Sequence, residues 1–231
     1  MTGPQPLPEG AAKVRAVEDM FDRIAPRYDL LNRMLTFGMD VGWRRRTVAA
    51  LGLPAGARVL DIACGTGDLC RELRAMGYVA FGVDRSAGML AAARTSAPLL
   101  RADGLRLPFP DASVDGIVCG FALRNFADLG RFVADCARVL RDGGRMALLE
   151  VAEPKPRALK LGHALYFGRV VPLVGGLVSD RAAYQYLPKS VAYLPAEPEL
   201  LRMQVDCGFP DARRVALSLG IAQLLTGTRR R

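Results

Sequence analysis

The stretch from Arg58 to Asp68, R-V-L-D-I-A-C-G-T-G-D, constrains the fold more than any other part of the chain. Val59, Leu60 and Ile62 make an apolar strand, Gly65 and Gly67 make a turn, and a helix opens at Asp68 and Leu69. A strand, a glycine turn and a helix start are how an α/β sheet presents a nucleotide-like ligand at its carboxyl edge. Glycine suits the turn because, without Cβ, it takes positive φ and lets backbone N–H groups approach a ligand closely.

The residues that follow repeat this unit. The helix after the turn runs to about residue 76, with Gly77 as its stop. A second strand, 79–83, ends on Asp84, and Ser86 caps a helix that carries Met89 and Leu90. A short third strand, 99–102, ends on Asp103, and the loop L-R-L-P-F-P-D-A-S-V-D leads to a fourth strand over 116–121. A helix over 128–140, the turn R-D-G-G-R and a strand over 146–151 complete the series. Strands alternating with helices at this interval predict an α/β fold with a mainly parallel, doubly wound sheet.

The flanks are less regular. Val14, Val17, Met20, Phe21 and Ile24 predict an amphipathic helix ending near Ala25-Pro26. The segment from Arg27 to Arg46 reads either as helices packed on the sheet or as a cap over the site, and Arg44-Arg45-Arg46 reads as a solvated helix face. Residues 153–196, apolar but broken by Gly168, Pro172 and Gly175-Gly176, read as a lid over a greasy ligand or as an ordinary helix pair. A helix over 197–207, a stop at Gly208 and strands over 212–217 and 221–226 follow, with Arg229 to Arg231 as a frayed tail. Residues 1–231 are therefore expected to form one domain: a helical cap (13–50), a ligand-binding core (57–152), a lid (153–196) and a C-terminal helix with strands (197–227).

The net charge of +9 suits phosphate-bearing partners or an anionic membrane surface, and it is carried almost wholly by arginine: Lys13, Lys155, Lys160 and Lys189 are the only lysines among 32 basic residues. Five scattered cysteines without a C-x-x-C pair, and the single histidine His163, argue against a disulfide framework or a metal site and for a reducing, cytoplasmic setting. His163 reads as a surface or packing residue. The N-terminus lacks the order of a signal peptide, and no run of about 18 apolar residues suggests a membrane span.

A third glycine at position 70 would complete a dinucleotide fingerprint, and Cys70 stands there instead. Acids end the successive strands: Asp84 is placed for a ribose diol and Asp103, beside Gly104 and Leu105, for an adenine amino group. With Asp61 in register, the pattern favours S-adenosylmethionine over a dinucleotide.

Several longer segments resemble the bacterial quinone-biosynthesis C-methyltransferases, the demethylmenaquinone and 2-polyprenyl-6-methoxybenzoquinol methylases. They are M-F-D-R-I-A-P-R-Y-D-L-L-N (20–32), F-G-M-D-V-G-W-R-R (37–45), L-P-F-P-D-A-S-V-D (107–115), F-A-L-R-N (121–125), S-D-R-A-A-Y-Q-Y-L-P-K-S-V (179–191) and G-I-A-Q-L-L-T-G (220–227), besides the glycine turn. The resemblance covers nearly the whole length. It implies the class I S-adenosylmethionine-dependent methyltransferase fold, Rossmann-like with its last strand antiparallel, plus an N-terminal helical cap and a helical lid insertion. It also implies that Thr66, Asp84, Asp103 and Gly104 hold the cofactor, and Asp61, Gly65 and Gly67 of the strand and turn are expected to join them. The residue before Phe121 also approaches the cofactor in that family and often is serine; here it is Gly120, which has no side chain to bond with.

The implied reaction methylates a quinol ring carbon: demethylmenaquinol is favoured by the arginine-rich composition, with the benzoquinol of ubiquinone synthesis as the alternative. Aligning nucleophile, methyl and leaving sulfur can supply roughly 7–11 kcal/mol of the barrier, and a base that removes the phenolic proton roughly 10²–10⁴-fold in rate. Arg124 and Asn125 are expected to orient the quinol oxygens, Arg124 stabilising the phenolate, with Asp29 as the carboxylate base. Tyr28, Asn32, Tyr184 and Tyr186 are expected substrate contacts, and no metal is expected. The cap and lid would sheath a prenyl tail while the basic surface rests on anionic lipid at the inner face of the membrane; a homodimer is left open. A nucleic-acid methyltransferase would also use the +9 charge, but no N-P-P-Y-like or paired-cysteine catalytic motif is present.

Overall fold

The computed structural model describes residues 10–154 and 190–231. Three helices come first: α1 (Gly10–Ile24), then, across a 3-10 turn (Ala25–Arg27), α2 (Tyr28–Leu35) and α3 (Met39–Ala49). The alternating part runs β1 (Arg58–Ile62), α4 (Asp68–Ala75), β2 (Val79–Asp84), α5 (Ala87–Ala91), β3 (Leu99–Arg101), β4 (Val114–Gly120), α6 (Leu129–Val139) and β5 (Leu140–Val151). After residue 190 come α7 (Glu197–Asp206), β6 (Arg213–Leu217) and β7 (Ala222–Thr228).

The strands form one sheet in the order β3-β2-β1-β4-β5-β7-β6. β3, β2, β1, β4 and β5 pair in parallel, while β7 runs antiparallel to both β5 and β6. That is the doubly wound sheet with an antiparallel last strand. β1 and β4 are apolar because both faces are covered. On one face Phe132, Val133, Cys136 and Phe209 pack against Leu60, Ile117 and Leu148; on the other Trp43, Leu51, Leu69 and Leu73 pack against Val59, Val118 and Leu149. The strand order reverses direction at β1 and β4, so their carboxyl ends splay apart and open a crevice.

Local sequence accounts for most boundaries. α4 ends in a Schellman motif: Gly77, at φ +80, donates to the Arg74 carbonyl and Tyr78 to the Leu73 carbonyl. Ser86 and Asp128 cap α5 and α6 by accepting from the N–H groups of Met89 and Arg131.

Three expectations are corrected. R-D-G-G-R is no separate turn: β5 already pairs at Leu140 with Val114, and the register then shifts so that Gly116 meets Arg145, which makes the segment a bulged excursion within the strand. The C-terminal arginines are anchored rather than frayed. Arg229 exchanges backbone bonds with Gly143 and Gly144, its Nε donates to the Ala137 carbonyl at 2.9 Å, and the Arg231 N–H donates to Asp142 at 3.0 Å. Arg44 is not on a solvated face: it is buried and ion-paired with Asp40 and, at 3.1 Å, with Asp68, whereas Arg45 is exposed. The expected lid, with Tyr184, Tyr186 and His163, lies outside the described residues apart from its ends.

Candidate active site

The crevice at the carboxyl ends of β1, β2, β3 and β4 is a cleft enclosing about 840 Å³, mouth included, and mostly apolar. The glycine turn contributes Ala63 and Gly65; the end of β2 contributes Val83 and Asp84, and the end of β3 Asp103, Gly104 and Leu105. Gly120 ends β4, Phe121, Asn125 and Phe126 follow it, and Tyr28 closes the side under the cap.

Backbone conformation shapes the floor. Ala63 and Phe121, at the ends of β1 and β4, stand at φ +55 and +58, left-handed values that cost non-glycine residues energy and that cluster at functional sites. Gly67 caps α4 at φ +84, and a Cβ there would lie 2.6 Å from the Thr95 methyl carbon. At Gly104 a Cβ would lie 2.8 Å from the Phe126 ring, so the β3 end and that ring meet only because the side chain is missing. Phe126 in turn stacks on Phe132 at 4.3 Å.

The three strand-end acids are in different states. Asp61 is fully buried beneath the glycine turn; its Oδ2 accepts from the Cys70 thiol at 3.3 Å, its Oδ1 has no partner, and burial pushes its carboxyl up to about 7. Asp61 does not line the cleft: it lies in the core behind Gly65, which does. Asp84 accepts from the backbone N–H groups of Gly65 and Ser86, each at 2.8 Å; burial raises its pKa and those bonds counter the rise. These bonds fix the carboxylate at the cleft wall, where it can accept from a ligand hydroxyl. Asp103 is half-exposed, bonded to the Leu105 N–H and paired with Arg85 at 2.9 Å.

The structure brings Gly65, Asp84, Asp103, Gly104, Gly120, Asn125 and Tyr28 together in the cleft and leaves other expected residues outside it. Thr66 and Gly67 lie in the turn but do not line the cleft. The Thr66 hydroxyl donates to Asp29, so Asp29 fastens the cap to the glycine turn instead of facing the cleft as a base. Asn32 stands behind Tyr28 and hydrogen-bonds its hydroxyl; burial raises the Tyr28 phenol and that bond lowers it.

Arg124 departs furthest from expectation. It is buried and ion-paired with Glu150 on β5; its Nε donates to the Ser190 hydroxyl at 3.0 Å and its Nη1 to the Phe121 carbonyl at 2.8 Å. Its guanidinium does not line the cleft. These bonds hold the Leu123–Asn125 turn against the sheet.

Two groups were missed. Val14, Val17, Glu18 and Phe21 of α1 line the cleft, and Glu18 binds Arg85 at 2.8 Å and Arg101 at 2.9 Å, which ties the cap to the ends of β2 and β3. The signal was the i, i+3, i+4, i+7 spacing of these four, a stripe that adjoins the core cluster of Met20 and Ile24 at Phe21. Glu150, wholly buried, was visible as an acid inside the apolar run M-A-L-L-E-V.

A family model described as the ubiE/COQ5 methyltransferase family matches residues 9–229. The chain belongs to that family. It is 44% identical to the demethylmenaquinone methyltransferase of Thermus thermophilus over 91% of this chain and 100% of that one. With the demethylmenaquinone methyltransferase of Deinococcus radiodurans it shares 43% identity over 97% of each chain. The Geobacter sulfurreducens protein named ubiquinone/menaquinone biosynthesis C-methyltransferase UbiE is 38% identical over 93% of this chain and 89% of that one. Among solved structures, a putative methyltransferase from Haloferax volcanii in complex with the Trm112 activator has a TM-score of 0.66 at 18% identity, covering 91% of this chain and 98% of that one. A possible histamine N-methyltransferase from Thermotoga maritima has a TM-score of 0.65 at 20% identity, covering 92% and 99%. The fold is that of the class I S-adenosylmethionine-dependent methyltransferases, and this chain is a methyltransferase.

Proposed function

We propose that the chain transfers a methyl group from S-adenosylmethionine to a ring carbon of demethylmenaquinol. The observation that carries the reading is the cleft itself, where strand-end acids suited to an adenosyl ligand share one mostly apolar space with Asn125 and Tyr28. The names of the relatives at 43–44% identity support the acceptor.

The cofactor supplies a methyl group already activated by its sulfonium. Asp84 and Asp103, on the cleft wall, would hold the ribose and adenine ends, and the buried Asp61 would support the turn from beneath. Gly120 lines the cleft, and a Cβ there would lie 2.9 Å from the buried Leu69 side chain. The quinol hydroxyl would first give its proton to water; its ring carbon would then take the methyl as the donor leaves as a neutral thioether, and the proton on that carbon would pass to water to restore the ring, with negative charge on the phenolate oxygen until the C–C bond forms. The Asn125 amide donates to that oxygen, in a space whose apolar walls strengthen the bond. Tyr28 and the apolar stripe of α1 hold the ring and exclude water.

Incubation with labelled S-adenosylmethionine and reduced quinones tests the reading. Label is expected in demethylmenaquinone. Label only in the benzoquinone would replace the acceptor, a reading favoured by the relative named for both quinones; label in neither would refute quinol methylation.

A further inference from the structure

α1 reaches the cleft with one charged side chain among apolar ones. Glu18 lines the space beside Val14, Val17 and Phe21, and its side chain is only 17% exposed. Both carboxylate oxygens are taken by arginines at the strand ends: Oε2 accepts from Arg85 Nε at 2.8 Å and Oε1 from Arg101 Nη2 at 2.9 Å. Arg101 Nε also donates to the Arg85 carbonyl at 2.9 Å, which ties the two arginines to each other. With its Nε held by Glu18, Arg85 turns its Nη1 to Asp103 Oδ2 at 2.9 Å. The other oxygen of Asp103 accepts from the Leu105 N–H at 2.9 Å. A chain of alternating charge therefore runs from the cap to the acid placed for the adenine amino group.

The place of α1 does not depend on Glu18 alone. Met20 and Ile24 pack with Met89, the Lys13 ammonium donates to the Phe126 carbonyl at 3.0 Å, and Asp22 accepts from the Gly88 N–H at 2.9 Å and from the Ser86 hydroxyl. Arg85 and Arg101 are 46% and 60% exposed, and ion pairs this open add little to stability. What the arrangement fixes is direction. An arginine open to solvent samples many rotamers, and Glu18 selects the one that faces Asp103. A carboxylate held in one place accepts from an amino group and repels a ring carbonyl put there instead, whereas one free to swing away discriminates less.

We propose that Glu18 is a positioning residue for adenine recognition: through Arg85 it fixes Asp103 as the acceptor for the exocyclic amino group, and so sets the preference for adenine over a 6-oxopurine. The proposal rests on the reading of the cleft as an S-adenosylmethionine site and names what selects the base there.

Calorimetric titration of the full-length protein with S-adenosylhomocysteine and with S-inosylhomocysteine, its 6-oxo counterpart, tests it without any methyl acceptor. The parent is expected to bind the adenosyl compound at least about tenfold more tightly, as befits a hydrogen bond to a charged acceptor. In Glu18→Ala the adenosyl compound should bind roughly three- to tenfold more weakly and the inosyl compound nearly as before, so that the ratio shrinks. Loosening of α1 alone would weaken both ligands alike and keep the ratio. Glu18→Gln keeps the shape and an acceptor for Arg85, so its ratio should fall between, and it reads the same chain if the alanine variant folds poorly. Arg85→Met should shrink the ratio as Glu18→Ala does, and adding Glu18→Ala to it should cost nothing further. An unchanged ratio in the Glu18 variants overturns the proposal and leaves the cofactor site standing. So does a full further loss in the double variant, which would give Glu18 a contact of its own with the ligand, and so does equal binding of the two compounds by the parent. A parent that binds neither compound refutes the cofactor reading and the proposal with it.

Discussion

Replacing Gly67 by alanine tests whether the glycine turn is set by backbone geometry or only by proximity to a ligand. Two costs can be worked out separately. Gly67 stands at φ +84, and an L-residue in the left-handed region costs roughly 1–2 kcal/mol. The new Cβ would also lie 2.6 Å from Thr95 Cγ2 and 3.0 Å from Thr95 Cβ, and overpacking of this kind costs roughly 1–3 kcal/mol. Together they predict a loss of about 2–5 kcal/mol, a large share of the roughly 5–15 kcal/mol that holds a domain together. Urea unfolding at constant m-value measures it. Thr95→Ser separates the two parts: it removes the methyl that clashes and keeps the hydroxyl that accepts from the Ala97 N–H at 3.1 Å. In the Gly67→Ala background it should restore the steric share and leave the backbone share. A Gly67→Ala protein within about 0.5 kcal/mol of the parent would refute the argument, since substitutions without such features stay in that range. A double variant no more stable than the single would refute the steric half.

Glu150→Gln should destabilise by roughly 3–5 kcal/mol, because it leaves the buried Arg124 guanidinium without its counter-charge. It should also lower kcat on soluble quinol by loosening the turn that carries Asn125; unchanged stability in urea would contradict the burial of the pair. Asp61 has a folded pKa of about 7 against a reference of 3.8, so the folded state holds a proton that the unfolded state has already released as pH rises between those values. Stability should therefore fall as pH rises from 4 to 7 and level off above, by at most about 4 kcal/mol, and Asp61→Asn should flatten that slope. A slope unchanged in Asp61→Asn would show that another group titrates there.

The alternation of strand and helix was legible because both elements depend on short-range pattern. Gly77, Ser86 and Asp128 mark their boundaries with the residue types that caps require, and strand ends at Asp84 and Asp103 put their carboxylates on one edge of the sheet. What failed was mostly a matter of partners. Arg124 was read as a contact to the quinol oxygens, but its partner Glu150 lies 26 residues away on β5, and only the register of β4 against β5 brings them together. Arg44 read as solvated because its neighbours in sequence are basic, whereas its partner Asp68 reaches it from α4.

By itself the sequence determined the sheet's order of construction, the glycine turn and the acids at its edge, since each depends on residues within one turn or strand of one another. Only the tertiary structure decided which side chains share the cleft, because that depends on packing between elements far apart in the chain. It drew α1 over the cleft as a wall, turned Asp29 onto Thr66 and Arg124 onto Glu150, and left Asn125 and Tyr28 facing the space between.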